Sequence, residues 1–137
     1  MKYLLLCLLF PTTIFAQIVT TWQFDRVVDG DTIAYIIPNM PDSLKRIKIR
    51  VYGIDTPEST YLAKCEQERL RGIKAKEFVA KYAKANNTTI NIVKWDKYGG
   101  RVLAEVFVDG KLLKDTLIQK GFAREYYGEN KGNHWCN

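Results

Sequence analysis

The chain has 137 residues, enough for one domain around one core, which excludes a second independent unit. It carries 21 Lys and Arg against 15 Asp and Glu, a formal charge of +6 at pH 7. A basic surface suits a polyanionic partner, although many exported proteins are basic for solubility alone, so the motifs have to decide.

Lys2, the apolar run Tyr3 to Phe10 and a small-residue site ending at Ala16 have the layout of a secretory signal peptide, too short to span a bilayer. The expectation is cleavage after Ala16, a mature domain over residues 17–137, and a secreted or periplasmic address with no membrane association after cleavage. The competing reading, a buried first strand, fits Lys2 and Gln17 less well. Cys7 follows Leu6 and lacks the small residue that lipoprotein cleavage needs. Loss of Lys2 with the leader leaves 20 basic and 15 acidic residues, or +5. Loss of Cys7 leaves Cys65 and Cys136, and an even pair in an exported chain is most simply read as a disulfide. The alternative is a metal site, for which two isolated cysteines and His134 make a poor zinc set.

Thr20 to Val28 and Thr32 to Ile37 read as a hairpin about Asp29-Gly30, with Pro38 to Asp42 as the next loop. Lys45 to Tyr52 alternates, Ile47, Ile49 and Val51 on one face and Arg46, Lys48 and Arg50 on the other. From Gly72 the period becomes helical, with Ala75, Phe78, Val79, Tyr82 and Ala83 on one face up to Asn86-Asn87. Gly72 interrupts that pattern, and Glu66 to Arg71 reads as either a first turn or a loop. Thr88 to Val93 and Arg101 to Val108 are two further strands turning through Tyr98-Gly99-Gly100, and a short helix over Leu112 to Lys120 is closed by Gly121. Five strands with a helix between the third and fourth give a mainly β, α+β fold of the five-stranded OB-barrel type.

Three segments hold most of the polar residues with chemical promise: Asp29-Gly30-Asp31-Thr32, Arg50 with Asp55-Thr56-Pro57-Glu58, and Asp96 through Arg101. Taken singly, each has a plain structural reading, as a hairpin turn, as a helix start with Thr56 and Pro57, and as a solvated turn. Together they read as carboxylates at strand ends around one hard cation, facing two arginines whose planar donor forks match phosphate oxygens.

Through Val28 to Thr32, Arg50 with Ile54 to Glu58, and Asp96 to Gly99, the sequence resembles the staphylococcal nuclease, or thermonuclease, family from about Phe24 to Tyr127. The resemblance implies a calcium-dependent endonuclease that acts on DNA, RNA or both as a monomer and leaves 3′-phosphorylated products. It implies calcium on the Asp31 and Asp55 carboxylates and the Thr56 carbonyl, phosphate on Arg50 and Arg101, and Glu58 as the residue that positions or deprotonates water. Lys97 and Tyr98 match positions that contact a neighbouring phosphate, and Tyr126 or Tyr127 a tyrosine beside the nucleotide. Two glycines precede Arg101 where the type member has one, which reads as a local turn variant. The segment Ser59 to Glu68 is shorter, and a tail ending in Trp135-Cys136, as in bacterial relatives, replaces the type member's long C-terminal helix. OB barrels also hold single strands without cutting them. The full set of acids and arginines argues for catalysis. His134 is assigned no role.

Overall fold

The computed structural model describes residues 19–137, so the expected leader over residues 1–16 and Cys7 lie outside the described residues. In chain order the elements are β1 (Val19–Thr20), β2 (Gln23–Asp29), β3 (Thr32–Ile36), β4 (Arg46–Val51), β5 (Ile54–Asp55), α1 (Glu66–Ala85), β6 (Thr88–Trp95), β7 (Arg101–Val108), β8 (Lys111–Leu112), α2 (Leu113–Gln119) and β9 (Arg124–Glu125), followed by a 3-10 turn at His134–Cys136. None of the described helices is long and apolar enough to cross a membrane.

The five expected strands are β2, β3, β4, β6 and β7, with α1 between the third and fourth. Their hydrogen-bonded order is the open path β1-β6-β7-β4-β3-β2, a mixed sheet in which β4 and β7 run parallel. The expected single strand over Thr20 to Val28 is divided at Thr21-Trp22. Its first residues pair β6 and the rest pair β3, so the two ends of the path are consecutive in the chain, while the ladder itself does not close. The alternating residues of β7 bury Val102, Ala104, Val106 and Val108 against Ile33, Ile49, Ile90, Leu113 and Leu117. Apolar area removed from water at these positions supplies the main stabilising term.

Helix α1 begins at Glu66, six residues before Gly72, with Cys65 as its N-cap: the Glu68 amide donates to Cys65 Sγ at 3.3 Å. The buried stripe Gly72, Ala75, Val79 and Ala83 lets the helix lie close, while the expected Phe78 and Tyr82 are half-buried and stack with each other. Gly72 sits inside the helix for a packing reason: a β-carbon there would lie 2.4 Å from the Glu58 carbonyl oxygen and 2.7 Å from that of Pro57. Gly72→Ala, normally a gain of about 1 kcal/mol in a helix, is instead expected to cost ~1–3 kcal/mol by overpacking. Urea unfolding of the variant checks the sign; a stabilised protein would show that the Pro57–Glu58 backbone yields freely.

Cys65 and Cys136 form the expected disulfide across 71 residues of sequence. A loop of that length lowers the entropy of the unfolded chain by a term on the order of 4 kcal/mol, and it pins the C-terminal tail against the start of α1. Arg71 reinforces the junction by donating to the Trp135 carbonyl at 3.0 Å.

Candidate active site

The Asp29 to Thr32 hairpin places Asp31 beneath the end of β4. Asp29 pairs Thr32 in register after an irregularity at Val28, a device that re-aims side chains. Asp31 Oδ2 lies 2.8 Å from Arg50 Nη1, and Oδ1 accepts from the Thr32 hydroxyl at 3.0 Å. The Thr56 amide donates to the same Oδ2 at 3.3 Å, an approach that Gly30 permits because a β-carbon there would lie 2.9 Å from Thr56 Oγ1. Asp31, Arg50 and Thr56 are thus brought together from three segments. The helix-start reading of Asp55 to Glu58 is not realised, since α1 opens ten residues downstream of Thr56 at Glu66.

Glu58 is half-buried on the rim between two cavities. Buried Glu68 carries the loop that holds it, accepting from the Glu58 amide at 3.3 Å and the Lys64 amide at 2.7 Å. Burial first, then a hydrogen bond and charge repulsion from Asp29, raise the Glu58 pKa to about 7; Lys131 pulls it down and Asp31 adds a smaller upward push. A carboxylate that titrates near neutrality is suited to take a proton from water. Asp29, read from sequence as a turn residue, is therefore a neighbour of the candidate base.

Asp55 faces elsewhere. Its Oδ2 accepts from Arg124 Nε at 3.2 Å and Trp135 Nε1 at 3.1 Å, and Lys131 Nζ lies 2.7 Å from Oδ1. Burial alone would raise its pKa, but Lys131, Trp135 and Arg124 together hold it below the ordinary value. Asp55 lines a small pocket of about 100 Å³, whereas Asp31 lines the main cleft of about 920 Å³; Glu58 and Lys131 border both. Calcium collects six to eight oxygens in one shell. Among the described residues no three Asp, Glu, His or Cys side chains stand together as a metal-holding group. The expected set of Asp31, Asp55 and Thr56 does not fit one shared ion in this arrangement, because two cations already compensate the Asp55 carboxylate.

Arg101 opens β7 opposite Lys48 of the parallel strand β4, and Arg50 lies two positions further along opposite Leu103. Both arginines line the main cleft. The second glycine is absorbed in the turn, where Gly100 adopts φ 72°, so it does not withdraw Arg101. Asp96 Oδ2 holds Arg101 Nε at 2.5 Å, and the guanidinium lies 5.0 Å from the centre of the Tyr98 ring. Lys97, Tyr98, Tyr126 and Tyr127 border the same cleft. Tyr127 is anchored by Lys114, which donates to its hydroxyl at 2.6 Å, and packs edge-on against Tyr52. Trp95, at 69% exposure, also borders the cleft and went unread in sequence because it ends a strand rather than belonging to a motif. No local spacing in the sequence ties Lys131, Arg124 or Trp135 to Asp55 either. His134 packs edge-on against Trp135.

The sequence model of the family described as "Staphylococcal nuclease homologue" matches residues 48–135, a span that contains Arg50, Asp55, Glu58 and Arg101. The chain is 35% identical over 113 residues to "Endonuclease YncB" of Bacillus subtilis (strain 168), covering 75% of this chain and 46% of that protein. It is 36% identical over 113 residues to "SPbeta prophage-derived endonuclease YokF" of the same organism, covering 75% of this chain and 33% of that protein. The chain thus spans less than half the length of either relative.

Proposed function

Because this chain belongs to the staphylococcal nuclease family, we propose that it is a monomeric endonuclease that hydrolyses phosphodiester bonds in DNA, RNA or both and leaves 3′-phosphorylated ends. The observation that carries this reading is the meeting of Arg50, Glu58 and Arg101 around one open cleft, with Glu58 titrating at about 7. The two endonuclease-named relatives support it.

In this reading the two guanidinium groups grip the scissile phosphate from neighbouring strands. The ion pairs with Asp31 and Asp96 fix each fork before substrate arrives, so little reorganisation is needed as negative charge grows on the phosphoryl oxygens. Glu58 orients a water in line with the departing 5′ oxygen and accepts its proton. Lys97 contacts the next phosphate, and Tyr98, Tyr126 and Tyr127 offer ring faces to the bases. Calcium is the ion that the family resemblance supports.

The test is incubation of the purified protein with single- and double-stranded DNA and RNA, in calcium, magnesium or chelator, followed by analysis of the new ends. Internal cutting in calcium with 3′-phosphate ends is expected. Intact substrate under every condition would overturn the reading.

We also place the enzyme outside the cytoplasm, in the medium or periplasm, a placement supported by the leader-like residues 1–16 and the disulfide. N-terminal sequencing of protein recovered from those compartments is expected to begin at Gln17. Recovery only from the cytosol, starting at Met1, would refute it.

A further inference from the structure

Most aromatic rings that border the main cleft are already engaged by the protein. Tyr98 has Lys97 and Arg101 at 5.1 and 5.0 Å from its ring centre, and Tyr126 has Lys131 at 5.4 Å. Tyr127 has Lys114 at 5.1 Å and packs edge-on against Tyr52. Trp95 differs: among the described residues it is the cleft ring with neither a cation nor another aromatic beside it, and it stands 69% exposed at the end of β6.

The strand carries this ring away from the core. β6 is buried at Ile90 and Asn91, but every residue from Ile92 to Trp95 is exposed, beyond a register irregularity between Ile92 and Lys94 of the kind that re-aims side chains. Trp95 then pairs Val102, the neighbour of Arg101 on β7. The next residue, Asp96, fixes Arg101 twice: its amide donates to the Arg101 carbonyl at 3.1 Å, and its Oδ2 lies 2.5 Å from Arg101 Nε. Lys94 and Lys97 flank Trp95 in the chain and line the same cleft. One exposed aromatic is ordinary on a protein surface. An unpartnered indole between two ammonium groups, one residue from the anchor of a cleft arginine, matches the alternation of phosphate charge and flat ring along a nucleic acid strand.

We propose that Trp95 is a specificity-determining residue: its indole stacks on an unpaired base next to the phosphate held by Arg101, and so favours single-stranded segments over duplex. Here the nuclease reading supplies only the phosphate at Arg101. A base inside a duplex is covered on both faces by its neighbours and has to be unstacked at a cost before it meets another ring, whereas a base in a single strand presents a face freely. Every base has such a face, so the preference is for strandedness rather than for sequence.

The experiment measures binding of a short labelled oligothymidylate, a base-free strand of the same length and a blunt duplex, in low-salt buffer with chelator so that binding is read without cutting. The forms compared are the parent, Trp95→Phe and Trp95→Ala. Trp95→Ala is expected to raise the Kd for oligothymidylate by ~10-fold, within the range for loss of one base–aromatic stack. Trp95→Phe should lose less, and neither substitution should alter the Kd for the base-free strand or the duplex. A Trp95→Ala protein that holds oligothymidylate as tightly as the parent, one that loses as much affinity for the base-free strand, or a parent that binds no strand at all would overturn the proposal. Cleavage assays in calcium separate the two readings. A parent that cuts while its affinity ignores Trp95 keeps the nuclease and discards the stacking role; a parent that binds through Trp95 and never cuts does the reverse.

Discussion

Replacing Glu58 with Gln is expected to slow phosphodiester cleavage by more than ~100-fold, the usual scale for losing a positioned proton acceptor. The amide keeps the size and the loop contacts through the backbone N–H to Glu68, so the loss reports the chemistry of one oxygen. The pH dependence gives a second signature. With burial and Asp29 holding the carboxyl near 7, Glu58 is protonated in acid and cannot accept a proton, so parental activity should fall as pH drops through about 7. Stability runs the other way. A carboxyl whose folded pKa is raised favours the fold most below its unfolded value, and that contribution is lost as pH rises through about 7. Glu58→Gln should therefore melt higher than the parent above pH 7 while cutting far more slowly. Parent-like turnover from the purified variant would remove Glu58 from the mechanism.

Arg101→Ala should cost a similar factor, above ~100-fold in kcat, with a smaller change in KM. A guanidinium that meets charge appearing on the phosphoryl oxygens stabilises the transition state more than the bound substrate, which sends the loss into kcat. Arg101→Lys tests the geometry, because a point charge cannot reproduce the planar fork, and most of the loss should persist. Removing Arg101 also leaves the nearly buried Asp96 carboxylate without its partner, so thermal melts must accompany the kinetics. A variant that is folded and within a few-fold of parental kcat would show that Arg50 alone carries the phosphate.

The elements that were legible in the sequence share a physical feature: their signals are local. Asp29-Gly30 turned a hairpin, the alternation in Lys45 to Tyr52 put Arg50 opposite its apolar row, and Gly121 closed α2 with φ 74°. The start of α1 was not legible, because Gly72 disrupts a helical pattern and its cause, contact with the Pro57–Glu58 backbone, comes from another part of the chain. The division of the first strand at Thr21-Trp22 was equally hidden, since it depends on which neighbour each half bonds.

The site divides along the same line. Sequence alone determined the composition of the chemistry, because residue types and short spacings name the acids, the arginines and the family, and it paired Cys65 with Cys136 by parity. Tertiary structure decided the partners: that Asp29 raises the pKa of Glu58, that Asp31 turns to Arg50 and the main cleft, and that Asp55 is committed to Arg124, Lys131 and Trp135 in the smaller pocket. Charge interactions fall off over a few ångströms of space, and Asp55 and Trp135 are 80 residues apart in sequence. No local pattern encodes such a pairing until the chain has folded back on itself.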